Sequence, residues 1–179
     1  MKVHVGPLDG FQAQIVQHEV NHCDGILIRM EAQMKIMVSA CLLGENCKYN
    51  GGNNQNPELL RLLSEHAVIP VCPEVQGGLP TPRVPAEIVN GTIINREGIS
   101  VNDAFRKGAQ KALEIAMQEK PDLIILQSRS PSCGVKEIYD GTFSGKLIPG
   151  QGVFAEMALQ AGFRVMDIED IKERLPNAQ

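Results

Sequence analysis

Three short apolar runs in this chain each lead into a cysteine, and that repetition constrains the fold more than any other feature. Lys35–Ala40 leads into Cys41, and Ala67–Val71 leads into Cys72. Asp122–Gln127 leads into the turn SRSPSCG, which closes on Cys133 and Gly134. Continuous apolar runs of this length read as strands buried on both faces, the pattern of a parallel sheet covered by helices. If the three lie in one parallel sheet, their carboxyl ends share an edge and three thiols converge there. Open α/β sheets bind their ligands at that edge.

The connecting segments support a parallel sheet. Asn56-Pro57 places a capping side chain and a first-turn proline at the start of a helix that runs to about His66. Ser100–Lys120 carries an apolar stripe of Phe105, Ala109, Ala112, Leu113 and Ala116, with Ser100 and Asp103 spaced as an S-x-x-D cap. Such a helix is the crossover that a parallel pair of strands requires. Asn90-Gly91, between Glu87-Ile88-Val89 and Thr92-Ile93-Ile94, predicts a tight hairpin. Gln76–Pro85, with two glycines and three prolines, reads as a rigid loop following a candidate ligand. A short helix over Val153–Gln160, a strand at Phe163–Met166 and a helix from Ile168 to about Leu175 complete the chain. The expected fold class is α/β, a Rossmann-like three-layer sandwich around a mainly parallel sheet. A short N-terminal helical extension (1–33) precedes the main domain (34–179).

Composition excludes several classes of function. The 179 residues are 43% hydrophobic and 21% charged, ordinary values for a soluble globular protein. A net charge of −4 with no basic block gives little support to nucleic-acid backbone binding and favours a small-molecule partner. No apolar run approaches the ~20 residues of a membrane span, and no signal-peptide pattern is visible, so the expected location is the cytoplasm. Oligomeric state is not legible. The five cysteines, Cys23, Cys41, Cys47, Cys72 and Cys133, are odd in number. In a reducing compartment they point to metal binding or reactive thiols rather than a disulfide framework.

The thiol spacing narrows the chemistry. A closed zinc site wants four ligands, usually with a close C-x₂-C pair, and no C-x-x-C occurs here. An iron–sulfur cluster accepts widely separated cysteines. With three protein ligands on four irons, one iron stays open to act as a Lewis acid.

The N-terminal segment has a different character. His18 and His22 stand four residues apart with Glu19 between them, on one face of a helix where they could hold a metal ion. The stretch AQIVQHEVNHCDGILI resembles the metal-binding helix of peptide deformylases. That family's upstream cysteine and glutamine motifs are missing. Met1–Gln33 is therefore expected to be a non-functional fragment of such a domain, with His18 and His22 a secondary metal pair.

Four further motifs, CLLGENCKYNGG, CPEVQGGLPTPR, SRSPSCG and YDGTFSGKLIPGQGV, occur in the order in which they stand in the thiouracil desulfidase family. The chain resembles that family over 34–175. The resemblance implies an oxygen-sensitive [4Fe-4S] cluster on Cys41, Cys72 and Cys133, and non-redox conversion of 2-thiouracil to uracil and hydrogen sulfide. It also implies a catalytic glutamate and serine, best matched by Glu74 and Ser130. Ser128 and Ser132 share the serine-rich motif, and with Arg83 and Tyr49 they are candidates for substrate contact.

Plainer roles stand beside these. Glu74 could cap a helix or pair with Arg83, and the serines could serve only the backbone of their turn. Arg83 could anchor the loop, and Cys47 reads as a loop or core thiol. Two other functional classes remain: a non-catalytic iron–sulfur or zinc sensing module, and a metal-dependent amide hydrolase on His18, Glu19 and His22.

Overall fold

The computed structural model describes residues 33–174. The three cysteine-tipped runs are strands of one parallel sheet. β1 (Lys35–Ser39) lies between β2 (Ala67–Val71) and β5 (Leu123–Leu126), and β8 (Val165–Asp167) pairs with the outer side of β5. All the pairings are parallel, with Val38 opposite Pro70 on one side and Ile125 on the other. Pro70 lacks a backbone donor, which an edge strand tolerates.

Strand order reverses at β1. The chain leaves β1 through α1 (Pro57–Leu63) to β2, then returns past β1 to β5. This return includes α2 (Pro73–Gln76), the hairpin of β3 (Ala86–Val89) and β4 (Thr92–Asn95), and α3 (Asn102–Glu119). From β5 it passes through a second hairpin, β6 (Glu137–Tyr139) and β7 (Leu147–Pro149), and α4 (Val153–Gln160) to β8, and ends in α5 (Ile168–Arg174). The carboxyl edge between β1 and β5 is thus a topological switch point, where a crevice opens.

Both faces of the sheet are covered. Met37, Val71, Ile124 and Leu126 form one cluster with Phe105, Ala109, Ala112 and Ala116 of α3 and Phe154, Ala155 and Ala158 of α4. The alternating residues Ile36, Val38, Leu123 and Ile125 are equally buried on the opposite face. Leu59 and Leu63 of α1 and Ile171 of α5 are also buried and lie outside that first cluster. This is the three-layer α/β sandwich expected from the sequence. No helix among the described residues is long and apolar enough to cross a membrane.

Several boundaries differ from expectation for local reasons. β1 ends at Ser39, and Ala40–Leu43 forms a 3-10 turn closed by Gly44 at φ 102, so Cys41 sits on a turn rather than a strand end. Asn56 caps α1 as expected, its side chain accepting from the Leu59 amide at 3.0 Å, but the helix stops at Leu63. The S-x-x-D cap does not form. α3 begins at Asn102 with Val101 before it and no side-chain cap, because Ser100 pairs across to Ile94 in an isolated bridge. Asn90 and Gly91 take φ 49 and 79, as the predicted two-residue turn requires. Two elements went unpredicted. One is the single turn of α2, and the other is the β6–β7 hairpin inside a segment that reads as glycine-rich and polar.

α2 approaches α3 closely through glycine. A Cβ on Gly108 of α3 would stand 1.8 Å from the Pro73 carbonyl oxygen, and one on Gly77 would stand 2.1 Å from that of Ala104. Alanine at 108 would gain about 1 kcal/mol of helix propensity. The clash with rigid backbone outweighs that gain, since overpacking costs about 1–3 kcal/mol and often more against main chain. Gly108→Ala is therefore expected to lower stability by about 2 kcal/mol in urea unfolding and to displace α2, which carries Glu74.

Candidate active site

The carboxyl edge of the sheet opens into a cavity of about 550 Å³, lined among others by Cys41, Cys47, Cys72 and Cys133. Cys41 reaches it from the 3-10 turn after β1. Cys72 immediately precedes α2, and Cys133 comes from the SRSPSCG turn after β5. Cys41, Cys47 and Cys133 are buried and Cys72 is partly buried; none forms a disulfide. Cys47 is brought in by the loop that follows the 3-10 turn, and its thiol interacts with those of Cys41 and Cys72. Its short separation from Cys41 in sequence marks it as a loop or core thiol. Only the folded loop shows it beside two of the candidate ligands.

Burial and mutual contact raise the Cys47, Cys72 and Cys133 thiols above the ordinary cysteine range. The Cys47 thiol is pushed up to about 11, first by its contact with Cys41 and further by burial. Cys72 is raised by the Cys47 thiol and by burial. Cys133 is raised chiefly by burial, with the Glu74 carboxylate and the neighbouring thiols adding to it. A site that assembles so many anion-forming groups out of water favours a bound cation, and loading it must release protons. No three His, Cys, Asp or Glu side chains among the described residues close on one point as a single metal ion would need. Soft thiols gathered at one cavity suit an iron–sulfur cluster, whose irons sit at separate corners.

Beside the thiols lies a polar unit built on Glu74, in the first turn of α2. Arg83 binds its Oε2 with Nε at 2.8 Å and with Nη2. The two side chains are largely buried, at 7% exposure for Arg83 and 15% for Glu74. The same guanidinium donates to the Cys47 carbonyl at 3.0 Å and to the Pro80 carbonyl at 3.1 Å. Arg83 thus fastens the rigid loop and the Cys47 loop while orienting Glu74 through its planar fork. The pairing considered for Glu74 and the anchoring considered for Arg83 are both formed.

The serines divide by position. Ser130 lines the cavity; its Oγ accepts from the Ser132 and Cys133 amides, each at 3.1 Å, and donates to Glu74 Oε1 at 3.4 Å. With both acceptor sites taken, its proton is directed at Glu74. Ser132 is 1% exposed and donates to the same Oε1 at 3.2 Å. Ser128 is also buried; its hydroxyl donates to Asp167, which in turn accepts from the Glu169 amide at 2.9 Å at the start of α5. Ser128 therefore braces the turn against β8. Tyr49 lines the cavity at 46% exposure, and its carbonyl accepts from the Arg83 amide at 2.7 Å. His18 and His22 lie outside the described residues. Sequence reasoning missed Glu87, Arg96 and Phe143, which also line the cavity. A lone glutamate or arginine in a short hairpin carries the signature of a solvated face, and only the packing of the two hairpins turns them inward.

A parallel sheet with a thiol-lined cavity at its switch point defines an α/β protein that binds a cofactor or small molecule there. The chain belongs to the 2-thiouracil desulfurase family, whose model matches residues 36–170. It is 40% identical over 150 residues to the uncharacterized protein YbbK of Bacillus subtilis (strain 168), covering 78% of this chain and 99% of that one. Among solved structures it is similar to the [4Fe-4S]-dependent thiouracil desulfidase TudS, with a TM-score of 0.74 and 36% identity. That likeness covers 79% of this chain and 95% of the other.

Proposed function

We propose that this protein removes sulfur from 2-thiouracil or a related thionucleobase without redox change, consuming water and yielding uracil and hydrogen sulfide. The observation that carries this reading is the meeting of Cys41, Cys72 and Cys133 with Glu74 and Ser130 around one cavity. Bound to the three cysteines, a [4Fe-4S] cluster would supply one open iron, a Lewis acid for the substrate sulfur. The chain's own residues perform the proton chemistry. Glu74 Oε1 takes a proton from the water that attacks the thiocarbonyl carbon, and later returns it to the departing sulfide. Arg83 fixes the opposite oxygen, and the longer of the two serine contacts on Oε1, that of Ser130 at 3.4 Å, gives way to the incoming water. Ser130 and Ser132 steady that oxygen from the turn that carries Cys133. The balance is C=S plus H₂O giving C=O plus H₂S, and no electron acceptor is needed. In this reading residues 34–179 form the working unit, acting on a small molecule in the cytoplasm, and Met1–Gln33 is dispensable.

Anaerobic purification followed by a sulfide assay tests the reading. The expected result is a brown protein with about four irons per chain that releases sulfide from 2-thiouracil in step with uracil. A colourless protein with stoichiometric zinc would overturn it. Clustered protein that turns over no thionucleobase would identify a sensing module instead.

A further inference from the structure

The cavity contains a second carboxylate that this mechanism does not use. Glu87 lies on β3, opposite Ile94 of β4, and is 8% exposed. Its Oε2 accepts from the Phe143 amide at 3.0 Å. No ion pair or other hydrogen bond reaches it among the described residues, so Oε1 is left without a protein partner. The contrast with Glu74 is sharp. There both oxygens are engaged, one by Arg83 and the other by two serines.

The surroundings keep Glu87 in place. Phe143 sits at the tip of the β6–β7 hairpin at φ 57, a left-handed conformation uncommon for a bulky residue. Its ring carries the Arg96 guanidinium at 5.7 Å from the centroid. A Cβ on nearby Gly141 would meet the Ile88 carbonyl oxygen at 2.7 Å, so the two hairpins touch backbone to side-chain position. Strain of this kind persists only where packing over-determines it, and it gathers at ligand sites. The clasp fixes one carboxylate oxygen and leaves the other free in the cavity wall. That oxygen opens onto the cavity rather than being sealed in the core, and a ligand N–H that donates to it replaces water there with a charge-assisted hydrogen bond.

We propose that Glu87 is a substrate-recognition residue whose free oxygen accepts a hydrogen bond from the ring N–H beside the substrate's thiocarbonyl. This rests on the desulfuration reading above and sharpens it, because it restricts substrates to thiones with an unsubstituted ring nitrogen next to the C=S carbon. 2-Thiouracil offers such an N–H on either side of C2. Charge-assisted hydrogen bonds are among the stronger ones, so discrimination of about tenfold or more is expected.

The test is anaerobic equilibrium binding to cluster-loaded protein, wild type and Glu87→Gln, with iron content measured for each. The ligands are uracil, which undergoes no chemistry, and the 1-methyl and 3-methyl derivatives of uracil. Glu87→Asp, which keeps the charge but withdraws the oxygen by one methylene, serves as the second variant should Glu87→Gln not fold. Expected is a rise in the uracil Kd of roughly tenfold or more in the variant. The one methyl derivative that blocks the contacted N–H should bind wild type and variant alike. An unchanged uracil Kd, or an equal loss for uracil and both methyl derivatives, would show that Glu87 only ties the hairpins together, leaving desulfuration standing. Loaded wild type that binds no pyrimidine at all would overturn both readings.

Discussion

Replacing Cys133 with serine is expected to give a folded, colourless protein with no desulfidase activity. Cys133 is 6% exposed and lies within the main apolar cluster. Serine there costs about 1–3 kcal/mol for a poorly paired hydroxyl. That is a fraction of the about 5–15 kcal/mol that holds a domain together. Function responds far more steeply, because the thiolate is one of three proposed protein bonds to the cluster and a hydroxyl is a poor, hard substitute for a soft ligand. Iron should fall from about four per chain toward zero and sulfide release to background. Cys47→Ser is the matched comparison. Its thiol touches those of Cys41 and Cys72 but is not among the proposed ligands, so the variant should retain its iron. Iron analysis and circular dichroism on the two variants check both expectations. Full iron in Cys133→Ser, or its loss only in Cys47→Ser, would reassign the ligand set.

Glu74→Gln should keep the cluster and lower kcat by about 10²–10⁴, the usual worth of a positioned general base. Glutamine preserves size and leaves an oxygen for Ser130 and Ser132, but it cannot take the proton of the attacking water. It also leaves the guanidinium of Arg83 buried opposite a neutral group. Removing one partner of a buried pair is expensive, about 3–5 kcal/mol when the partner is lost outright and less for an isostere. A lower melting temperature should therefore accompany the lower rate. Arg83→Lys separates the two effects. Lysine retains the charge but cannot reproduce the fork that also reaches the Pro80 and Cys47 carbonyls, so it should perturb stability while Glu74 remains able to act as base. Rate measured per iron-loaded chain, alongside thermal unfolding, distinguishes them. A full rate in Glu74→Gln with the cluster intact would remove this residue from the chemistry.

Much of the scaffold was readable because its signals are local. β2 occupies Ala67–Val71 and α4 occupies Val153–Gln160, as the apolar runs and their flanking turn residues indicate. Asn90-Gly91 makes its turn because few other residue pairs take φ > 0 twice in succession. The failures arose where a distant partner competed with a local preference. Ser100 has the chemistry of a helix cap, yet its backbone is taken by Ile94. The β6–β7 hairpin, only three residues per strand, is too short for a periodic signal and is held in part by the Phe143 amide on Glu87.

The candidate site shows the same division. From the sequence alone came the three cysteines after three apolar runs, a parallel sheet to align them, and motifs that resemble one family. These follow from periodicity, turn chemistry and residue identity, which act within a few positions along the chain. Tertiary structure alone decided that Ser128 braces β8 while Ser130 and Ser132 face Glu74. It alone showed that Arg83 grips that glutamate, that Cys47 joins the other thiols, and that Glu87 holds a free oxygen in the cavity wall. Each of these depends on which atoms meet across long stretches of intervening chain, or across a loop with no period of its own, and hydrogen-bond geometry at that range is set by packing.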